Sequence, residues 1–369
     1  MSGSVALPPG ATSDGSRGWA GALGRKVIRV FAAKLLKRVA GMVGLKAVAA
    51  WEDHKRGYRL RTFRPDDYRN TGAELDEHFL ASLQNKRALL FVHGTFSRAD
   101  SAFGDLPHEL LVELHERYEG KVFAFDHPTL SHDPAQNVEW LRERLVDGAV
   151  LDIVCHSRGG LVARGIAGGL PDSPPVAAVK QIVFVGTPHH GTRLADFDHL
   201  SSLLDVFINL LSWLPDNGFT DALEPILEIV KEVASGAAVK LPGLVSMDPQ
   251  GDFLRRMNET EVPESVQLCA IASDFRPTQP ALADWAKTRI MEGVFSGSQN
   301  DLVVPTQGCF EAAGPGFPGI HGERAKRLDA QLGVAHTKYF QAEQVADALR
   351  AWLTSDLPPV RQVDDTSDT

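Results

Sequence analysis

Ser157 lies in "DIVCHSRGGLVARG", residues 152–165, between an apolar run that reads as a strand and a pattern that reads as a helix. A serine at such a junction sits in a sharp, strained turn. The turn lifts the hydroxyl above a sheet and aims the next N–H into the same space. The chemistry on offer is attack on an acyl carbon. The usual turn reads G-x-S-x-G; here Cys155 holds the first glycine position and Gly159 keeps the second. Cysteine is small enough for the site, though it carries a side chain that glycine lacks.

A serine hydroxyl is a poor nucleophile until an imidazole takes its proton. Of 13 histidines, the base has to lie after the last strand and before the closing helix, and "GVAHTKYF" (333–340) puts His336 there. His321 is the alternative, in a Gly/Pro-rich loop. His156, beside the serine, is expected to pack in the core. The acid that orients the imidazole is Asp301, at a turn in "SQNDLVVPT" (298–306), with Asp274 after "LCAIAS" as its competitor. An oxyanion needs backbone donors, worth about 3–4 kcal/mol each. The loop in "FVHGTFS" (91–97) offers the N–H of Thr95, and the turn itself offers that of Arg158. The adjacent His189 and His190 lack partners at ligand spacing, so neither a metal nor a cofactor is expected.

These groups need a scaffold that brings distant segments to one rim. From about Tyr58 the chain alternates strands and helices. Strands are expected at 58–63, 87–94, 121–127, 149–155, 180–186 and 265–273, with a strand and loop at 293–308. Helices are expected at 106–118, 135–147, 158–169 and 340–353. This rhythm predicts a mostly parallel sheet covered on both faces. Residues 196–260 hold no strand candidate, but contain the apolar "LSSLLDVFINLLSWLP" (200–215) and "DALEPILEIVKEVASGAA" (221–238), which predict a helical cap or lid.

The ends differ from the middle. Residues 1–20 are Gly/Ser/Pro-rich and 355–369 Pro/Asp-rich, and both are expected to be disordered. Between the N-terminal tail and the main domain, 55–354, a basic amphipathic helix is expected over 21–50. Ile28, Phe31, Leu35, Val39 and Met42 share one face, and no acid occurs from Gly15 to Trp51. Its core, 24–44, either docks on its own domain or makes a peripheral contact with an anionic membrane. No apolar stretch approaches the roughly 18–20 residues of a membrane span. A net charge of −9 argues against nucleic-acid binding. Three cysteines without paired spacing argue against a disulfide framework. The expected location is the cytoplasm, with the basic helix as the one candidate membrane contact.

Four blocks, "FVHGTFS", "VCHSRGGLVAR", "VGTPHHGT" (185–192) and "NDLVVP", resemble the α/β-hydrolase superfamily and, within it, its lipase-like branch. Bacterial triacylglycerol lipases, lecithin–cholesterol acyltransferase-like enzymes and GPI inositol-deacylase-like proteins carry similar strings. The resemblance spans about 85–350 and implies an α/β-hydrolase fold with a lid. It implies Ser157 as nucleophile, Asp301 as acid, His336 as base, and Thr95 and Arg158 as oxyanion donors. The departures are Cys155, and Leu302 where that branch often has glycine. The function implied is hydrolysis of carboxylic esters, with an apolar or lipid-like acyl substrate. An amidase or thioesterase would use the same groups, and a hydrolase-fold interaction protein without turnover is the non-enzymatic alternative.

Overall fold

A computed structural model of the chain describes residues 42–195, 241–276 and 298–354. The expected tails, nearly all of the basic helix at 24–44 and the lid segment up to residue 240 lie outside these residues.

Seven strands form one sheet: β1 (Arg59–Thr62), β2 (Arg87–Val92), β3 (Val122–Asp126), β4 (Val150–His156), β5 (Ala178–Val185), β6 (Gln267–Ser273) and β7 (Ala325–Leu328). Their order is β1-β3-β2-β4-β5-β6-β7. Only β1 runs antiparallel, against β3; every other pairing is parallel. The inner strands are buried almost end to end, which explains why "RALLFV", "VFAFD" and "VLDIVCH" read as continuous apolar runs rather than alternating ones. The chain passes from β2 outward to β3, then back across to β4 on the other side of β2. Open α/β sheets bind their ligands outside the carboxyl ends of the strands at such a reversal.

Among the described residues, the helices that bear on the sheet and its rim include α1 (Met42–Arg56), α2 (His108–Arg117), α3 (Pro134–Arg142), α4 (Gly159–Ile166), α5 (Asp252–Glu259) and α6 (Glu343–Thr354). Side chains alternate across the sheet. Leu90, Val92, Ile153 and Cys155 join Leu161 and Ile166 of α4 in one core. Leu89, Phe91 and Val154 join Leu110 and Leu114 of α2 and Leu349 of α6 in the other. Sheet and helices together make the α/β-hydrolase architecture. The start of α3 is fixed by a reciprocal cap between Asp133 and Gln136 with Pro134 in the first turn.

Three expectations change. The last strand is β7, whose sequence "AKRL" exposes Lys326 and Arg327; charge at a sheet edge blocks further pairing but erases the apolar pattern. The described part of 293–308 forms no strand, only an isolated bridge between Asn300 and Pro305. The helix α1 continues to Arg56, past the expected end at 50. Among the described residues, no helix is long and apolar enough to cross a membrane.

Candidate active site

Ser157 follows β4 directly and precedes α4. Its φ is +55°, the left-handed region, which costs a non-glycine residue about 1–3 kcal/mol. The turn tolerates this because its neighbours are small. A Cβ on Gly159 would lie 2.4 Å from the Val92 carbonyl oxygen, and one on Gly160 would lie 2.2 Å from Thr187 Oγ1. Cys155 fits for another reason: it belongs to the strand, faces the core and is fully buried, with its Sγ 3.4 Å from the Val183 carbonyl oxygen. Burial pushes its thiol well above the ordinary range, so it does not compete as a nucleophile.

His336 Nε2 lies 2.8 Å from Ser157 Oγ, and its Nδ1 lies 2.7 Å from Asp301 Oδ2. A carboxylate can only accept, so the ring carries its proton on Nδ1 and leaves Nε2 bare toward the serine hydroxyl. All three residues are buried. The imidazole is also held through its backbone: His336 N–H donates to the Asp301 carbonyl at 2.9 Å, and the His156 ring meets the His336 carbonyl at 2.9 Å. His156 is thus packed beside the site as a brace. Burial lowers it to about 3 and keeps it neutral.

Asp301 is anchored by its own turn. Its Oδ1 accepts the N–H groups of Val303 at 3.0 Å and Val304 at 2.7 Å, while Oδ2 also accepts the Tyr339 hydroxyl at 2.8 Å. Burial by itself would raise this carboxyl. The charge and hydrogen bond of His336 and the Val304 and Val303 N–H groups outweigh it and hold the group below its ordinary value. Leu302 has φ +82°. The backbone conformation suited to glycine is therefore kept with a leucine in it, and the turn stays intact.

The alternatives fall elsewhere. Asp274 Oδ2 accepts from Gln299 Nε2 at 2.9 Å and lies 3.8 Å from Arg276, with no bond to His336. His321 is exposed ahead of a short turn of helix at Gly322–Arg324. His189 is buried against Phe317 and Phe184, at centroid distances of 4.1 and 4.4 Å, while His190 is exposed. The two rings diverge.

Thr95 and Arg158 flank Ser157 from two strands. Gly94 makes the approach possible: a Cβ there would lie 2.6 Å from Ser157 Cβ. Neither the Thr95 nor the Arg158 N–H has an acceptor among the described residues. His93 shapes this loop, which the sequence did not reveal. Its Nδ1 donates to the Gly94 carbonyl at 2.9 Å, and its Nε2 accepts the His127 N–H at 3.2 Å. Burial lowers His93, against the pull of Asp126, so the ring stays neutral in that tautomer. Tyr339 was also missed; its only signal is its place three residues after His336.

Residues 55–354 match the family model described as Domain of unknown function (DUF7379). No curated protein sequence matches the chain. Among solved structures, lipase 1 from Pelosinus fermentans aligns at 13% identity over 73% of this chain and 98% of its own, with a TM-score of 0.48. Phospholipase PlaB from Legionella pneumophila aligns at 13% over 61% of this chain and 45% of its own, with a TM-score of 0.39. MenH from S. aureus aligns at 15% over 80% and 97%, with a TM-score of 0.37. The chain thus spans less than half of PlaB.

Proposed function

We propose that this chain, which belongs to the DUF7379 family, hydrolyses carboxylic esters through an acyl-enzyme on Ser157. One observation carries the reading: an unbroken relay from Ser157 Oγ through His336 to Asp301, with bonds of 2.8 and 2.7 Å. His336 Nε2 takes the hydroxyl proton as Ser157 Oγ bonds to the acyl carbon. Asp301 stabilises the imidazolium so formed. The carbonyl oxygen, now an anion, accepts from the N–H groups of Thr95 and Arg158. His336 returns its proton to the leaving alcohol as the tetrahedral adduct collapses. Water, deprotonated by the same ring, then releases the acid.

For the substrate, the lipase-like motifs and the apolar segments at 200–215 and 221–238 favour a greasy acyl chain. A series of p-nitrophenyl esters from acetate to palmitate tests both parts. Hydrolysis rising with chain length is expected, and Ser157→Ala should lose roughly four to six orders of magnitude in kcat. A preference for acetate would remove the lipid-like substrate, and undiminished hydrolysis by Ser157→Ala would remove the enzyme.

A further inference from the structure

Glu52 is a carboxylate with no exposure at all, carried by α1, outside the 55–354 span of the family model. It is inserted into the irregular loop that comes after β3. Its Oε1 accepts the N–H of Thr129 at 2.7 Å and of Leu130 at 3.0 Å, and its Oε2 accepts the N–H of Ser131 at 2.8 Å. The hydroxyls of Thr129 and Ser131 add bonds of 3.3 and 2.5 Å. Three successive amides turned onto one anion form a nest. Left empty, it would strand buried donors without an acceptor.

The same loop is bonded to Phe96 and to Arg158, on two sides of the serine turn. On one side, Thr129 Oγ1 gives its proton to Glu52 and accepts the N–H of Phe96 at 3.2 Å. Phe96 follows Thr95 and is held at φ +57°, a conformation bulky side chains avoid. On the other side, the buried guanidinium of Arg158 donates from its Nη2 to the His132 carbonyl and to Asn137 Oδ1 at 2.9 Å, and from its Nε to the Gly243 carbonyl at 3.0 Å. Asn137 and Gly243 are tied to the loop in turn, by donating to the carbonyls of Pro128 and Leu130. Among the described residues no carboxylate contacts Arg158 directly; Glu52, across the loop, is the largest of the charges that support its own, against the burial that lowers it to about 10.

We infer that Glu52 is a positioning residue for the oxyanion pocket. It sets the 129–132 loop, and through it both the Thr95 and the Arg158 N–H groups. The inference rests on the proposed hydrolase reading. Because Glu52 touches neither substrate nor the reacting atoms, its effect falls on transition-state binding and leaves substrate binding nearly alone.

The test uses the full chain with Thr129→Val, Thr129→Ser and Glu52→Gln. Each is measured for kcat and KM on a p-nitrophenyl ester, and for affinity toward a trifluoromethyl ketone. That ketone captures Ser157 Oγ as a hemiketal, whose oxyanion occupies the same pocket. Thr129→Val removes the hydroxyl that holds Phe96 but keeps the side-chain shape. It should lower kcat roughly ten- to a hundredfold and weaken the ketone by a matching factor, with KM within about twofold. Thr129→Ser, which restores the hydroxyl, should recover most of both. Glu52→Gln, which sets a carboxamide NH2 donor against backbone N–H groups that need an acceptor, should move both readouts the same way; it also decides the matter should the valine variant fail to fold. Undiminished kcat and ketone affinity in the folded variants would overturn the inference. So would a loss that tracks only the folded fraction by circular dichroism and is not recovered by serine. Activity surviving in Ser157→Ala would bring down the hydrolase reading, and this inference with it. An inactive Ser157→Ala beside an unaffected Thr129→Val would bring down the inference alone.

Discussion

Asp152 and Asp301 are both buried carboxylates, and each takes a hydrogen bond from a tyrosine hydroxyl, Tyr118 at 2.5 Å and Tyr339 at 2.8 Å. Asp152 stands on β4 near its start; Asp301 meets Ser157 just past its end. Their other partners separate them. Asp152 is held by Arg87 in a fork of 2.8 and 2.9 Å, a cation that never gives up its proton. Asp301 is held by His336, which has a second nitrogen to spare and can be charged or neutral. The first arrangement is closed: its donors are committed to keeping strands β2 and β4 in register. The second is open: in the proposed reaction, the charge it favours arises only when Ser157 gives its proton to His336. The chemistry lies in the partner, not in the carboxylate.

The largest break in this comparison comes from neutralising each acid. Asp301→Asn should lower kcat about ten-thousandfold by offering His336 the wrong tautomer, far out of proportion to its shift in the urea midpoint. Asp152→Asn should do the reverse, leaving kcat per folded molecule unchanged and costing about 3 kcal/mol for a broken buried pair. Equal effects on rate and stability in both variants would dissolve the distinction.

Acid sharpens it. Burial lowers His93, His127, His156 and His189, with His156 down to about 3. Unfolded, such rings titrate near 6.5. Below that value the unfolded chain binds protons that the folded one refuses. Stability is therefore full above about pH 6.5 and falls as pH drops, at up to roughly 1.4 kcal/mol per pH unit for each ring. Urea midpoints at pH 7, 6 and 5 should decline progressively; a level series would mean the rings take up protons inside the fold.

The smallest effect separates the two tyrosines. Tyr339→Phe removes a bond to Asp301 and leaves the Ser273 N–H, now 2.9 Å from that hydroxyl, without its acceptor. It should cost about 1–2 kcal/mol in stability and several-fold in kcat. Tyr118→Phe should cost a similar stability and no rate. Thermal melts read beside initial rates would tell them apart.

The sequence carried the order of the site and most of the sheet, because buried parallel strands and a strand-to-helix elbow leave local signatures. It did not decide between Asp301 and Asp274, since both lie beside apolar runs, Asp274 after one and Asp301 before one. That choice is made by the turn in which Val303 and Val304 point their N–H groups at Asp301 with Leu302 left-handed. Strand β7 escaped because edge protection demands the charges that hide a strand. Glu52 was visible only as the acid that ends a long acid-free stretch. Its role depends on amides some 77–79 positions away, a relation that periodicity and spacing cannot express.

The buried end of α1 also bears on where this molecule can be cut. A fragment trimmed to its family span would start three residues after Glu52. It would retain every group of the proton relay, yet shed the anion around which the neighbouring amides are wrapped. Protease nicking between α1 and β1 should therefore be harmless only while the severed helix stays docked.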